Sequence, residues 1–358
     1  MTQLARFQAA LAAIGAEGAI ISSDLNRRYL SGFDYTDGYL LITPTEALLL
    51  ADFRYIEAAR SQVTDFAVIL PRTTMTEELS AQLRERSLHR LLIEESELSY
   101  AEFGRLSEAL APCTIDVGAS ELLKKQRMVK TPDELEKIAK AQALTDRAFS
   151  HILSLLSPRM TERDVALELE FFMRRNGAEG VAFDTIAVSG PASALPHGVP
   201  SDIPLRRGFL TMDFGAKLDG YCSDMTRTVV IGKADEEIKR VYHTVLTAQQ
   251  TALDGLREGL GYRQADKLAR RVIREAGFGA CFGHSLGHGV GLYIHEAPNL
   301  SPRAPEDAIL EKGNVVTVEP GIYIEGKYGC RIEDMVAIDY NGTVRNFTNS
   351  PKDLIEID

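Results

Sequence analysis

The sequence has no tryptophan and only four cysteines among its 358 residues, at positions 113, 222, 281 and 330. They form no CxxC pair, which predicts free thiols in a reducing, cytoplasmic environment instead of a disulfide framework. No run approaches 18 apolar residues, so we expect no membrane-spanning helix. The net charge is -11 and no block of lysine and arginine is present, so we expect binding neither to nucleic acid nor to an anionic membrane surface.

The chain is long enough for two domains. With 45% hydrophobic residues it can bury substantial cores. The first ~120 residues alternate strand-like and helix-like patterns, which is typical of a modest α/β domain. After them, Thr131, Pro132 and Glu134 have the types expected at N-cap, N1 and N3 of a helix. We therefore predict an N-terminal domain over residues 1–122 and a larger domain over residues 123–358.

Periodicity and capping signals predict individual elements within both domains. Helices are expected over residues 1–15, 76–86, 100–110, 132–156, 161–177, 236–256 and 264–276. Strands are expected over residues 18–22, 39–42, 47–50, 181–189 and 209–214.

Two aspartates flank a predicted hairpin in the larger domain. The Asp219-Gly220 step lies between alternating apolar runs and is a strong signal for a tight turn. With the centre of the hairpin placed between Leu218 and Asp219, Asp213 and Asp224 would lie opposite each other on one side of the sheet.

Two glutamates flank a second turn in the same way. The midpoint between Glu319 and Glu333 is Gly326. Opposed like charges destabilise a strand pair, and a cation between them would account for their presence. Two carboxylate hairpins in one domain also point to an internal duplication.

A histidine-rich segment separates the two hairpins. Residues 283–296 hold His284, His288 and His295, three of the seven histidines in the chain. Two divalent cations would cancel the charge of four carboxylates, and a set of carboxylates with one imidazole suits Mn, Co, Fe or Zn. Taken singly, each residue has a simpler interpretation, as a turn residue, a partner of Arg331 in an ion pair or, for cysteines near these motifs, a buried thiol.

The combined pattern matches a known family. In order and spacing it resembles the metallopeptidases of the pita-bread fold, and within them the Xaa-Pro dipeptidases and aminopeptidases P. Residues 25–33 and 51–55 resemble the creatinase-like N-terminal domain of that family. The resemblance implies an α+β protein, in which a C-terminal pita-bread domain follows a smaller α/β domain. The residues that carry the match are Asp213, Asp224, His288, Glu319-Pro320-Gly321 and Arg331-Ile332-Glu333.

The resemblance also implies a cofactor and a ligand set. Two divalent ions are expected, Mn or Co foremost, with Zn or Fe as alternatives. A hydroxide held between them would attack the scissile carbonyl. Asp224 and Glu333 would bridge both ions, and the full set of ligands would be Asp213, Asp224, His288, Glu319 and Glu333.

Further residues are assigned to catalysis by the same resemblance. Glu319 would also shuttle a proton, and His197 and His295 would steady the substrate and the oxyanion. His284 matches a third histidine of the family, although a role in packing or water ordering fits it as well. Arg331 would orient the ligand carboxylates.

The implied activity is hydrolysis of the bond before proline in a di- or oligopeptide, by a cytoplasmic homodimer whose N-terminal domain helps to wall the partner's site. A dipeptidase needs a cation for the substrate's C-terminal carboxylate, and Arg303, eight residues after His295, is the candidate. An exposed loop arginine is the alternative interpretation of Arg303. An aminopeptidase P remains the alternative activity; a metal-free binding module, a creatine hydrolase and a methionine aminopeptidase fit the motifs less well.

Overall fold

The computed structural model describes all 358 residues, which form two compact units, Met1–Arg127 and Met128–Asp358. The boundary predicted between residues 122 and 123 lies inside helix α6 (Ala119–Met128) and stays a prediction. None of the helices combines the length and apolar character that a bilayer span requires.

The N-terminal unit is built on one six-stranded mixed sheet. The strand order is β4-β3-β2-β1-β5-β6, in which β1–β2 and β2–β3 are antiparallel and the other pairs are parallel. The predicted strands and helices of this unit are confirmed within two residues. Its helices are α1 (Gln3–Ala13), α2 (Asp24–Ser31), α3 (Ile56–Gln62), α4 (Met75–Glu85), α5 (Tyr100–Ala109) and α6, and its strands are β1 (Ala19–Ile21), β2 (Tyr39–Ile42), β3 (Ala47–Leu50), β4 (Ala67–Ile69), β5 (Arg90–Ile93) and β6 (Thr114–Val117).

The segment 25–33 is organised by two buried charges. Arg27 donates hydrogen bonds to the carbonyl oxygens of Ser22 and Tyr35, each at 2.9 Å. The Glu94 carboxylate accepts from the Ser22 N–H at 2.5 Å and from Asn26 Nδ2 at 2.6 Å. Buried charges are tolerated when hydrogen bonds satisfy them, so this segment is explained by the packing of the N-terminal unit.

The C-terminal unit holds four long helices and the remaining strands. The helices are α7 (Pro132–Leu155), α8 (Glu162–Arg175), α9 (Glu236–Gly255) and α10 (Tyr262–Glu275). The strands are β7 (Gly180–Val181), β8 (Ile186–Ser189), β9 (Gly208–Phe214), β10 (Ala216–Leu218), β11 (Tyr221–Cys222), β12 (Met225–Ile231), β13 (Gly287–Gly289), β14 (Glu296–Leu300), β15 (Val315–Val318), β16 (Gly321–Ile324), β17 (Tyr328–Arg331), β18 (Asp334–Ile338), β19 (Val344–Asn346) and β20 (Glu356–Ile357).

Most predicted elements of this unit are confirmed, because their caps are encoded locally. Thr131 and Thr161 both form capping boxes at the starts of α7 and α8. The single strand predicted over residues 181–189 was wrong. It divides into β7, which pairs with β10, and β8, which pairs with β9 in a different sheet.

The C-terminal unit repeats one arrangement twice. Helices α7 and α8 share a core with the sheet of order β20-β12-β9-β8, and α9 and α10 share a core with the sheet of order β14-β13-β15-β18-β19. In each half an isolated antiparallel bridge forms just before the second helix, Thr161 with Pro204 and Gly261 with Ile309. This repetition supports the internal duplication expected from the two hairpins.

Candidate metal centre

The first hairpin has a different register from the predicted one. Strands β9 and β12 pair so that Asp213 lies opposite Thr226. The turn residues are Asp219 and Gly220, whose φ angles of 50° and 81° suit a two-residue hairpin turn. The centre therefore lies one residue further along the chain than predicted, and the direct opposition of Asp213 and Asp224 was wrong.

Asp224 lies at an interruption of this hairpin, between β11 and β12. The two backbone segments of the hairpin approach so closely there that a Cβ on Gly215 would lie 1.9 Å from the carbonyl oxygen of Ser223. Only glycine fits at residue 215. The Asp224 carboxylate is buried, and its ligand atom lies within 4.8 Å of those of His288 and Glu333.

The second hairpin has the predicted register. The ladders β15–β18 and β16–β17 share one register centred on Gly326, and Glu319 and Glu333 occupy the opposed positions between them. Their backbone N–H groups donate elsewhere, from Glu319 to the Leu286 carbonyl at 2.8 Å and from Glu333 to the Thr226 carbonyl at 3.1 Å. Glu319 and Glu333 therefore lie opposite each other at a break between the two ladders, where their backbone N–H groups do not bond across the hairpin.

His288 presents an unprotonated nitrogen to the carboxylates. Its Nδ1–H donates to the Gly289 carbonyl at 3.0 Å, and burial lowers the pKa of His288, so the neutral ring keeps a lone pair on Nε2. Nε2 lies 3.5 Å from Asp224 Oδ2 and 3.3 Å from Glu319 Oε1. A lone pair facing two carboxylate oxygens is the orientation required of a metal ligand.

The carboxylates are costly to keep ionised without a cation. Burial raises the pKa of Asp224 and of Glu333, and the charges of neighbouring carboxylates add to both shifts. Burial also raises the pKa of Glu319 to about 7. Asp213 Oδ1 is buried and has no hydrogen-bond partner. These residues therefore fit a divalent cation, which would neutralise the charge and satisfy the orphaned oxygen.

Arg331 connects the carboxylates through a buried guanidinium. It donates from Nη2 to Asp213 Oδ2 at 2.6 Å, from Nε to Thr226 Oγ1 at 2.9 Å and from Nη1 to Tyr323 Oη at 2.7 Å. A guanidinium can only donate, so the Thr226 hydroxyl accepts from Arg331 and has its own proton for Glu333 Oε2, at 2.6 Å. This direction keeps Glu333 Oε2 as an acceptor.

The same reasoning sets the tautomer of His284. Tyr323 Oη accepts from Arg331 and burial raises the pKa of Tyr323 to about 12, so its own proton goes to His284 Nε2 at 3.0 Å. His284 Nδ1–H donates to the Ser285 carbonyl at 2.8 Å. Burial lowers the pKa of His284 to about 4. The ring is therefore neutral, and its Nε2 has no proton to give to a substrate.

His295 and His197 are the exposed histidines beside this cluster. The rings of His288 and His295 meet edge to face, with centroids 4.4 Å apart. The ring of His295 is partly shielded from solvent, which lowers its pKa, and the imidazoles of His288 and His197 contribute to the shift. His197 lies in a turn that the Gly198 N–H closes onto the Leu195 carbonyl at 3.0 Å.

Arg303 is placed apart from these contacts. It is exposed on the segment after β14, where its backbone N–H donates to Ser301 Oγ at 3.2 Å. Its guanidinium takes no part in the hydrogen bonds that join Arg331, the carboxylates and the histidines, and its assignment to the substrate carboxylate stays a prediction.

The sequence analysis missed three residues that hold the cluster. Thr226 and Tyr323 relay hydrogen bonds from Arg331, and Thr317 donates to Glu319 Oε1 at 3.1 Å and accepts from the His288 N–H at 3.0 Å. Strand parity could have found two of them, because Thr317 and Tyr323 are separated from Glu319 by an even number of residues. Thr226 follows only from the correct hairpin register.

The two-unit α+β fold and the carboxylate–imidazole cluster define a metal-dependent hydrolase. The chain belongs to metallopeptidase family M24, which matches residues 136–340, and residues 3–129 match the Creatinase/Prolidase N-terminal domain. It is thus a metallopeptidase of the pita-bread fold with a creatinase-like N-terminal domain, as the sequence motifs predict. Membership implies divalent metal ions and a peptide substrate.

Similar proteins span almost the whole chain. The uncharacterized peptidase YqhT of Bacillus subtilis is 40% identical over 343 residues, 96% of each protein. A solved Xaa-Pro dipeptidase from Bacillus anthracis is 41% identical, with a TM-score of 0.94 over 99% of both chains. An X-Pro aminopeptidase from Thermotoga maritima is 38% identical, with a TM-score of 0.89 over 95% of this chain and 98% of its own.

Proposed function

We propose that this metallopeptidase is a Xaa-Pro dipeptidase, which hydrolyses the bond between a first residue and a C-terminal proline. The observation that carries the proposal is the cluster of Asp224, His288 and Glu333, whose ligand atoms lie within 4.8 Å of one another. The chain that holds this cluster is 41% identical to the Xaa-Pro dipeptidase of Bacillus anthracis. Proline lacks an N–H and has a fixed φ, so cleavage before it needs a dedicated site.

We propose that two divalent ions, Mn or Co foremost, are held by Asp213, Asp224, His288, Glu319 and Glu333, with Zn or Fe as alternatives. When bound, they would lower the pKa of a water molecule to supply the nucleophile and would polarise the scissile carbonyl. The orphaned Asp213 Oδ1 and the free lone pair of His288 Nε2 support this ligand set.

We also propose roles for the other residues around this ligand set. We assign the proton shuttle to Glu319, whose Oε1 lies 3.3 Å from His288 Nε2 within the proposed ligand set. His197 and His295 are exposed, and we assign to them the binding of the substrate and of the developing oxyanion. Arg331 keeps Asp213 and, through Thr226, Glu333 in place. His284 belongs to this positioning network, since its Nε2 is an acceptor.

The likeness to the Thermotoga maritima aminopeptidase keeps aminopeptidase P as a second candidate. Hydrolysis of Leu-Pro and of Leu-Pro-Gly by the purified protein, with Mn²⁺ or Co²⁺, separates the two activities. A dipeptidase cleaves Leu-Pro at least as efficiently as the tripeptide, whereas preference for the tripeptide would establish the aminopeptidase. Replacing Arg303 by Ala should raise KM for Leu-Pro alone, if Arg303 binds the C-terminal carboxylate. Glu333→Ala serves as the inactive control.

We also propose a cytoplasmic homodimer, in which the N-terminal domain, residues 1–122, helps to wall the partner's site in residues 123–358. The free state of all four cysteines is in keeping with a reducing compartment. Light scattering tests the assembly, and a fully active monomer at micromolar concentration would contradict it.

A further inference from the structure

One buried carboxylate holds both ends of the loop that carries His197. Glu162, the first residue of α8, accepts from the backbone N–H and the hydroxyl of Ser189 at 2.7 and 2.9 Å. It accepts from the backbone N–H and the hydroxyl of Ser201 at 3.1 and 2.6 Å. Ser189 ends strand β8 before the loop, and Ser201 follows the loop. The two oxygens of Glu162 therefore close the loop at its base.

The loop between Ser189 and Ser201 consists of a short helix and the turn that holds His197. A short 3-10 helix, Gly190–Ala194, follows Ser189. A tight turn then presents His197, and Arg331 Nη1 lies 3.4 Å from the Pro196 carbonyl oxygen at the tip. The loop that carries His197 is thus held by Glu162 at its base, by Ser193, whose Oγ accepts from the Gly329 N–H at 2.9 Å, and by Arg331 at its tip.

The surroundings of Glu162 require both of its carboxylate oxygens to accept hydrogen bonds. Glu162 is 3% exposed and faces four donors, two on each side. The N-terminus of α8 further favours a negative charge. A glutamine would replace one oxygen by an NH₂ group. That group would face the backbone N–H and the hydroxyl of one serine and would leave the N–H without an acceptor. The contacts of Glu162 explain a carboxylate at this position without any substrate contact.

We propose that Glu162 is a positioning residue, which sets the place of His197 and thereby the rate of peptide hydrolysis. The proposal rests on the proposed function for its kinetic consequence, while the order of the loop is a property of the protein alone.

Two substitutions test it on the metal-loaded, full-length protein. Glu162→Gln removes an acceptor, and Ser201→Ala removes one donor and serves where the first variant does not fold. Arg163→Ala is the matched control, because the side chain of the neighbouring Arg163 binds the same region only through an exposed ion pair with Asp202, and such pairs contribute little. The backbone hydrogen bond from the Arg163 N–H to the Ser201 carbonyl is retained in this variant. Amide hydrogen exchange of residues 189–203, measured without substrate, should be faster in the two test variants than in wild type and the control. Unchanged exchange would overturn the proposal, whatever the activity.

A double-mutant cycle with His197→Ala gives the kinetic readout. Glu162→Gln should lower kcat for a Xaa-Pro dipeptide roughly tenfold with metal content unchanged, and should add little in the His197→Ala background, because residues that act as a unit are not additive. Equal losses in both backgrounds would overturn the proposal. If wild type fails to cleave any Xaa-Pro peptide, the proposed function is wrong, and hydrogen exchange alone decides the role of Glu162.

Discussion

Thr226 Oγ1 lies 2.6 Å from Glu333 Oε2, although the two residues are 107 positions apart in the chain. The hydroxyl accepts from Arg331 Nε and donates to the glutamate, so it fixes Glu333 Oε2 as an acceptor. The backbone of Thr226 also accepts from the Glu333 N–H. One residue of the first hairpin therefore positions the last carboxylate of the second.

Replacing Thr226 by Val should weaken metal binding while the fold is retained. The valine keeps the shape of the side chain but removes the hydrogen bond to Glu333, and loss of such a supporting contact lowers metal affinity about 10- to 100-fold. Calorimetric titration of the metal-free protein with Mn²⁺ measures the change. Thr226→Ser, which keeps the hydroxyl, should bind Mn²⁺ with the affinity of the wild type. Thr211→Val, which alters another buried threonine of the sheet, is the control. Equal affinities for the Thr226→Val and Thr211→Val variants would remove Thr226 from the network.

Protonation of Glu319 should stabilise the metal-free protein, and this contribution should be lost as the pH rises from 5.5 to 8. Burial raises the pKa of Glu319 from its ordinary 4.5 to about 7, so the folded state binds this proton more tightly than the unfolded state. The stabilising contribution is complete below about 4.5 and is lost as the pH passes through about 7. We expect the Tm in chelator to fall over this range by more than the Tm of Glu319→Gln does, and Mn²⁺ to raise it at pH 8. The comparison variant is Glu319→Gln, which lacks the titration; a fall of the same size in that variant would show that another group is responsible.

Removal of the metal should abolish activity, and the carboxylate variants should lose metal. After chelation, Mn²⁺ or Co²⁺ should restore turnover. Asp224→Ala and Glu333→Ala should bind far less metal than His284→Ala, because the first two are assigned as ligands of both ions and His284 Nε2 is occupied by Tyr323. Metal analysis of the three purified variants is the measurement. Equal metal loss in all three would argue against the assignment, as would full turnover in a rigorously metal-free preparation.

His197→Ala and His295→Ala should each lower kcat by about a hundredfold, since loss of one preorganised donor to an oxyanion costs on the order of 3 kcal/mol. Both residues are exposed and outside the proposed ligand set, so metal content should stay at the wild-type value. Steady-state kinetics on a Xaa-Pro dipeptide, run beside metal analysis, distinguishes the cases. Loss of a metal ion would move that histidine into the ligand set, and an unchanged kcat would leave it as a loop residue.

Features that depend on neighbours in the chain could be predicted from the sequence. The starts of α7 and α8 could be predicted because a threonine and an acidic residue three positions later cap the helix within one turn. The register of the second hairpin followed from the symmetry of Glu319 and Glu333 about Gly326. The motifs that indicate the family are also read directly from residue type and spacing.

The way in which distant groups face one another could not be predicted from the sequence, because it depends on how the elements pack. The first hairpin turns on Asp219 and Gly220, and this shift of one residue sets Thr226, not Asp224, opposite Asp213. A shift of one residue in the centre of a hairpin moves the cross-strand partner by two residues, and a sequence pattern does not show where a ladder is interrupted. The lone pair of His288 and the raised pKa of Glu319 depend on burial and on partners far away in the chain, which exist only once the two hairpins and their helices have packed together.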